Sequence, residues 1–152
     1  MDVELRKAAA DDVPEIFNVE TRCFSSPWSF DSIMSDISEN ECALYIVAED
    51  GARVIGFCGM HTVLGEGHIM NIAVLEEYRG KGVGERLLKK MFELAPPYVA
   101  NYTLEVRPSN TNAIRIYTKL GFSCFGMRPG YYEDTGESAM IMWLKPPGKT
   151  AL

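Results

Sequence analysis

The amino-acid sequence predicts an α/β fold in which a mixed sheet is flanked by helices. Strand-like apolar runs alternate with segments of helical periodicity along the chain, and a glycine-rich turn connects one such run directly to an amphipathic helix. A length of 152 residues, 47% of them hydrophobic and 24% charged, suits one globular domain with one core. We therefore assign residues 1–146 to a single domain and expect residues 147–152 to be a frayed tail.

The first half of the chain contains two predicted helices between predicted strands. Its predicted strands are the short segment Val3–Lys7 and three apolar runs, Ala43–Ala48, Val54–Val63 and Ile69–Val74. Asp11 or Asp12 is expected to cap the first helix, with Pro14 in its first turn. Ser29 is expected to cap the second helix, whose apolar residues have the spacing of one buried face: Phe30, Ile33, Met34 and Ile37. A turn is expected at Gly65–Gly67, before the fourth strand.

The second half contains two more helices and three more strands. Glu85–Leu94 is predicted to be a helix that two following prolines stop. The other helix is expected to begin after Ser109 or Asn110 and to end at Gly121, since glycine is the common C-terminal cap. The predicted strands are Asn101–Val106, Phe122–Met127 and Ala139–Leu144.

Composition and charge argue against several classes of protein. The net charge of −6 argues against non-specific nucleic-acid binding. No apolar run approaches the roughly 20 residues that cross a bilayer, and the N-terminus lacks the apolar core of a signal peptide. We therefore expect neither a membrane nor direct nucleic-acid binding. The four cysteines form no Cys-x-x-Cys pair and the two histidines complete no ligand cluster, so we expect no metal site and reduced thiols in the cytoplasm.

The turn Arg79–Gly84 is the most informative functional feature of the sequence. Glycines before a helix leave backbone N–H groups unpaired at the positive end of the helix dipole, and a phosphate can approach them closely. A Walker loop needs different spacing and a following Ser or Thr. Glu85 occupies the last glycine position of a dinucleotide fingerprint, so that pattern fails too. What remains is another kind of phosphate loop or a surface turn that binds nothing.

A second group of candidate residues lies between Leu104 and Phe122. Strand alternation places Glu105 on the same face as Arg107, so composition alone favours a solvated strand face or an ion pair between them. For Tyr117 the simplest expectation is packing on the core side of a helix. Asn110 is a natural helix cap.

Two motifs in these regions resemble those of the GCN5-related N-acetyltransferases, the GNAT family. The first is Asn-Ile-Ala-Val at 71–74, followed by Arg-x-x-Gly-x-Gly at 79–84. The second is Val-Arg-x-Ser-Asn-x-x-Ala-Ile-x-x-Tyr-x-x-x-Gly-Phe at 106–122. With Pro-Trp-Ser at 27–29 and the tyrosine pair at 131–132, the resemblance covers nearly the whole chain in order. It implies a mostly antiparallel twisted sheet flanked by helices in one domain.

The resemblance implies a role for each candidate residue. The cofactor is acetyl-CoA, released as coenzyme A, with ten implied binding residues: Ile72, Ala73, Val74, Arg79, Gly80, Lys81, Gly82, Val83, Gly84 and Asn110. Within this set, backbone groups at 72–74 hold the acetyl-pantetheine arm where the fourth strand splays from the fifth, and the glycine turn holds the pyrophosphate. Glu105 is the implied general base and Tyr117 the implied general acid. Trp28, Tyr131 and Tyr132 are the candidates for contact with the acceptor.

The similarity is greatest to family members that acetylate the N-terminal alanine of a ribosomal protein. It implies direct attack by the α-amine of a protein N-terminus on acetyl-CoA. The serines at 25 and 26 depart from the aromatic or apolar residue usual before Pro27, which leaves the acceptor contacts open. Two alternatives also stay open: acetylation of a small-molecule amine or a lysine, and a non-catalytic acyl-CoA-binding module. A binding module would need neither Glu105 nor Tyr117.

Overall fold

The computed structural model describes residues 2–145, so the predicted tail and the first and last residues of the predicted domain lie outside the described residues. Within this range the strands are Val3–Lys7 (β1), Ala43–Asp50 (β2), Arg53–Val63 (β3), Glu66–Val74 (β4), Asn101–Val106 (β5), Ser123–Arg128 (β6) and Ala139–Leu144 (β7). The α-helices are Val13–Cys23 (α1), Phe30–Glu39 (α2), Val83–Leu94 (α3) and Thr111–Lys119 (α4). The hydrogen-bonded strand order is β1-β2-β3-β4-β5-β7-β6, which confirms the predicted α/β class with a mostly antiparallel sheet.

Most predicted elements are present, and β1, β5 and β7 have the predicted bounds. β4 begins at Glu66, inside the predicted turn, because Glu66–Ile69 pair with Asn101–Leu104 of β5. That pairing outweighs the turn preference of the two glycines. α3 begins at Val83, two residues earlier than expected, directly after the left-handed Gly82.

The predicted cap of α1 is wrong in its detail. Asp12 makes no capping hydrogen bond to this helix. Its carboxylate accepts from the backbone N–H of Ala9 at 2.8 Å and from both terminal nitrogens of Arg6 at 2.8 Å. The cap of α2 is confirmed, because the Ser29 hydroxyl accepts from the backbone N–H of Ser32 at 3.1 Å.

The described chain forms two compact units, of which the first comprises residues up to 61 and residues 71–95. In it, α3 packs against β1 and β2, and α2 packs against β2 and α1. β2 pairs antiparallel with both β1 and β3. The core consists of apolar side chains with no exposed surface, among them Ile16, Ile46, Ile55, Leu87, Leu88 and Met91. Each such burial stabilises the fold by about 1.5–3 kcal/mol.

Among the described residues, the second unit comprises 62–70 and 96–145. Its core includes Tyr102, Leu104, Phe122 and Met142. β7 pairs antiparallel with β5 and with β6. The parallel ladder of β4 with β5 ends at the pair of Ile69 and Leu104, although both strands continue beyond it. The prediction of one domain over residues 1–146 stays a prediction.

Candidate functional site

The predicted phosphate turn lies at the N-terminus of α3. Gly80 and Gly82 have φ angles of 76° and 79°, a backbone conformation that residues with a Cβ rarely adopt. A Cβ added at Gly80, Gly82 or Gly84 would meet no heavy atom within 4 Å, so the backbone there borders open space. No side chain caps the helix at Gly82. The turn therefore fits a pyrophosphate, because unpaired N–H groups are expected at this helix end and nothing blocks close approach.

Arg79 attaches this turn to the end of β4. Its Nε donates to the carbonyl oxygen of Val74 at 2.8 Å, and its Nη2 lies 3.5 Å from the Cys23 Sγ. The Cys23 thiol also lies 3.5 Å from the Val74 carbonyl. Burial raises the pKa of Cys23, against the opposing effect of Arg79. The thiol is therefore neutral at physiological pH and contributes to this anchor without being an activated nucleophile.

The other predicted cofactor residues of the first unit occupy β4 and the turn. Ile72, Ala73 and Val74 are the last three residues of β4, and all three lie beyond the ladder with β5. Val83 is buried and Lys81 is exposed. The Val83 side chain is thus part of the core, whereas Lys81 can offer its charge.

Glu105 forms the centre of a charged cluster in the second unit. Its Oε2 lies 2.6 Å from the Nε2 of His68 on β4, and its Oε1 lies 3.4 Å from the Nη1 of Arg128 on β6. Only 11% of the Glu105 side chain is exposed. The hydrogen bond with His68 is the main cause that lowers the pKa of Glu105; burial opposes it and the charge of Arg128 reinforces it. Glu105 is therefore ionised at neutral pH.

Arg107, which the sequence alone offered as the ion-pair partner of Glu105, has other partners. Its Nη2 lies 2.9 Å from the Asp134 carboxylate, and its guanidinium lies 4.0 Å from the centre of the Tyr132 ring. Glu137 accepts from the backbone N–H of Ser109 at 2.9 Å. These contacts fasten the segment between β6 and β7 to the segment between β5 and α4.

Tyr117 and Asn110 make the contacts that residue type alone suggested. Tyr117 is 7% exposed, and its ring centre lies 5.9 Å from that of Phe122. The Asn110 side chain accepts from the backbone N–H of Ala113 at 3.2 Å and caps α4. Packing and capping account for where these side chains lie, and their roles toward a ligand stay predictions.

The three aromatic candidates for acceptor binding lie in connecting segments. The Trp28 ring centre lies 6.4 Å from that of His61, in the first unit. Tyr131 and Tyr132 lie between β6 and β7 in the second unit, with ring centres 4.9 Å apart in an edge-on arrangement. Tyr131 is 41% exposed, so its ring is available to a partner.

Sequence reasoning missed His68, Arg128 and Glu20. His68 lies 37 residues from Glu105 along the chain, and only strand pairing brings them together. Glu20 is 1% exposed and accepts hydrogen bonds from Trp28 and Asn71. Its only sequence signal is a charged residue beside the apolar residues of an amphipathic helix. Such a signal cannot identify a partner.

Two further observations concern residues 2–145 only. No group of three or more His, Cys, Asp or Glu side chains in this range is arranged to hold a metal ion. No helix in the same range has the length and apolar character needed to cross a membrane.

Known proteins are similar to this chain in sequence and in fold. The sequence model of the acetyltransferase (GNAT) family matches residues 13–122. A Bacillus subtilis (strain 168) protein provisionally named ribosomal protein bS18-alanine N-acetyltransferase is 38% identical over 141 residues, covering 92% of this chain and 93% of the relative. The Escherichia coli (strain K12) protein named ribosomal protein bS18-alanine N-acetyltransferase is 35% identical over 136 residues, covering 88% and 90%.

The same similarity holds in three dimensions. The crystal structure of the ribosomal-protein-S18-alanine N-acetyltransferase from Escherichia coli matches this fold with a TM-score of 0.86 and 31% identity. The match covers 99% of both chains.

Proposed function

This chain belongs to the acetyltransferase (GNAT) family, and we propose that it acetylates the α-amine of a protein N-terminus, the acceptor being the N-terminal alanine of a ribosomal protein. The chain is an N-acetyltransferase, and its acetyl donor is acetyl-CoA. The ribosomal acceptor is supported by the names of relatives that match about nine-tenths of the chain.

The main support for an α-amine as the acceptor is that the Glu105 side chain is ionised and nearly buried. Direct attack requires a neutral amine. Making an α-amine of pKa about 8 neutral at pH 7 costs about 1.4 kcal/mol, whereas a lysine of pKa about 10.4 costs about 4.6 kcal/mol. A carboxylate whose pKa lies below its ordinary value is a weak base, so it suits the acceptor that is already easier to neutralise.

In the proposed mechanism Glu105 accepts a hydrogen bond from the acceptor amine, directly or through water, and passes the proton that the amine loses on to bulk water. Because its pKa is lowered, Glu105 does not retain that proton well. The Nε2 of His68 lies 2.6 Å from one carboxylate oxygen of Glu105 and holds that carboxylate in place. Arg128 supports the negative charge of Glu105 on the other carboxylate oxygen.

Tyr117 is proposed to donate a hydrogen bond to the sulfur of the departing coenzyme A. Full transfer from a tyrosine of pKa about 10 to a thiolate of pKa about 8.5 is uphill by roughly 2 kcal/mol. A hydrogen bond that strengthens as charge develops avoids that cost.

The acetyl group is proposed to pass directly to the amine, without an acyl-cysteine intermediate. Burial raises the pKa of the Cys58 thiol to about 12, and burial also raises that of Cys23. Neither thiol is therefore an activated nucleophile.

All four cysteines are free thiols, which supports a reducing, cytoplasmic location.

We propose that acetyl-CoA contacts the residues that the family resemblance implies. The glycine turn and Lys81 would hold the pyrophosphate through backbone N–H groups and one positive charge. The backbone of Ile72–Val74, which lies beyond the ladder with β5, would hold the acetyl-pantetheine arm. Asn110 would add a contact through its amide, and Trp28, Tyr131 and Tyr132 would contact the acceptor peptide.

The test is mass spectrometry of peptides incubated with the protein and acetyl-CoA. A peptide that begins with alanine should be acetylated at its terminus far faster than the same peptide with a blocked terminus and an internal lysine. Spermidine and an aminoglycoside serve as small-molecule acceptors in parallel. A higher kcat/KM for any of these three competitors would overturn the N-terminal acceptor while leaving the enzyme class intact.

A further inference from the structure

Helix α1 carries a buried carboxylate that none of the proposed chemical steps uses. Glu20 is 1% exposed, and both of its oxygens have partners. Oε1 accepts from the side-chain amide of Asn71 at 2.8 Å, and Oε2 accepts from the backbone N–H of Trp28 at 2.9 Å. Burial raises the pKa of Glu20, and these two hydrogen bonds act against that increase. A buried carboxylate is unfavourable unless its hydrogen bonds are made, so this group depends on both partners.

The two partners of Glu20 belong to segments with different proposed tasks. Asn71 directly precedes Ile72–Val74, the part of β4 proposed to hold the acetyl-pantetheine arm. Trp28 lies in the connection between α1 and α2 and is a proposed acceptor contact. One carboxylate therefore ties a donor-binding segment and an acceptor-binding segment to the same helix.

A second contact from α1 lies one turn further along the helix. Cys23 follows Glu20 by three residues, and its Sγ lies 3.5 Å from the carbonyl oxygen of Val74. Arg79 donates to the same carbonyl at 2.8 Å. The helix thus contacts both ends of the segment Asn71–Val74, and Arg79 extends the contact to the glycine turn.

We infer that Glu20 is a positioning residue for acetyl transfer, one that fixes β4 at Asn71 and the acceptor segment at Trp28 in a single geometry. The inference rests on the function proposed above for Ile72–Val74 and for Trp28. Its consequence is specific: weakening the contacts of Glu20 changes the binding of acetyl-CoA as well as turnover. A purely structural carboxylate would change thermal stability alone.

Reversing the direction of one hydrogen bond tests the inference. In Glu20→Gln, the new amide oxygen can accept from only one of the two donors, and its NH₂ group faces the other. In the double variant Glu20→Gln with Asn71→Asp, that NH₂ group donates to the new carboxylate while the amide oxygen still accepts from Trp28. The double variant keeps the total charge, the side-chain volume and both hydrogen bonds. It therefore tests whether acetyl transfer requires these two hydrogen bonds or the particular residues Glu20 and Asn71.

The readouts are the dissociation constant of acetyl-CoA by calorimetry, kcat/KM with the alanine peptide, and Tm. Glu20→Gln should weaken acetyl-CoA binding and lower kcat/KM at least about tenfold each, as expected when a buried donor loses its acceptor. The double variant should return both values to within about threefold of wild type, about 0.7 kcal/mol. Glu15→Gln is the matched control on the same helix, because Glu15 accepts from the backbone N–H of Val54 at 3.2 Å and should leave both values unchanged.

A folded Glu20→Gln protein whose affinity and kcat/KM stay within about twofold of wild type would overturn the inference. So would a double variant that recovers neither value. If Glu20→Gln does not fold, the double variant decides alone: wild-type affinity supports the inference and a tenfold loss rejects it. If the wild-type protein does not acetylate the alanine peptide, the proposed acceptor fails, yet acetyl-CoA affinity still decides the role of Glu20.

Discussion

The glycine turn at Arg79–Gly84 and the cluster around Glu105 differ in what they are made of. The turn is one contiguous segment whose proposed binding groups are backbone N–H groups and whose glycines leave open space. The cluster consists of side chains from three strands, and its central pair is separated by 37 residues in the chain. Adding a side chain should therefore impair ligand binding at the turn, whereas removing a functional group should impair turnover at the cluster. Binding and turnover should accordingly respond to different substitutions.

The largest expected effect is that of Glu105→Gln, which removes the charge but keeps the volume of the side chain. We expect kcat to fall about 10²–10⁴-fold, in the range of a lost acid–base group. Coenzyme A affinity by calorimetry should be unchanged. Glu66→Gln, at an exposed position of β4, is the control and should retain wild-type kcat. A fully active Glu105→Gln enzyme would show that this cluster takes no part in the reaction.

Tyr117→Phe should lower kcat by roughly 10²-fold, because it deletes the proposed hydrogen-bond donor to the leaving thiolate. The ring that packs against Phe122 remains. Tyr98→Phe, at a tyrosine that is 66% exposed, controls for loss of a hydroxyl. A kcat close to wild type would leave Tyr117 with a packing role only.

Lowering the pH from 8 to 6 should decrease kcat/KM about 50-fold, since the neutral fraction of an α-amine of pKa about 8 falls by that factor. Glu105 does not cause this loss. Its pKa lies below the ordinary 4.5, so its charge is lost only as the pH falls below that value. With an acceptor amine of lower pKa, the acid limb of the pH profile should move to lower pH by the difference between the two amine pKa values. An acid limb that does not move would belong to a group of the enzyme.

Gly84→Val should weaken coenzyme A binding by about tenfold or more, by filling the open space beside the backbone. Gly84 has no positive φ, so this substitution avoids the strain expected at Gly80 or Gly82. Gly126→Val is a matched control, since a Cβ there also meets no atom within 4 Å and the site lies on β6. At saturating acetyl-CoA, kcat for Gly84→Val should approach wild type. An unchanged dissociation constant would contradict the proposed phosphate site.

The turn could be predicted from the sequence because its information is local. Glycine spacing, a preceding strand and a following helix all lie within about two dozen residues. The partners of Glu105 could not be predicted, because alternation assigns a residue to a face of a strand without identifying the strand beside it. Arg107 was the expected partner of Glu105 because alternation relates only residues of the same strand. Arg107 pairs with Asp134 instead.

Sequence patterns were enough to predict the α/β class, nearly every helix and strand, the family, and the glycine turn. Each of these depends on periodicity or on residues that are neighbours in the chain. Two findings required the folded structure: His68 and Arg128 lower the pKa of Glu105, and Glu20 accepts hydrogen bonds from both Asn71 and Trp28. Those contacts depend on strand order and helix packing. Both are set by burial of the whole core rather than by any local segment.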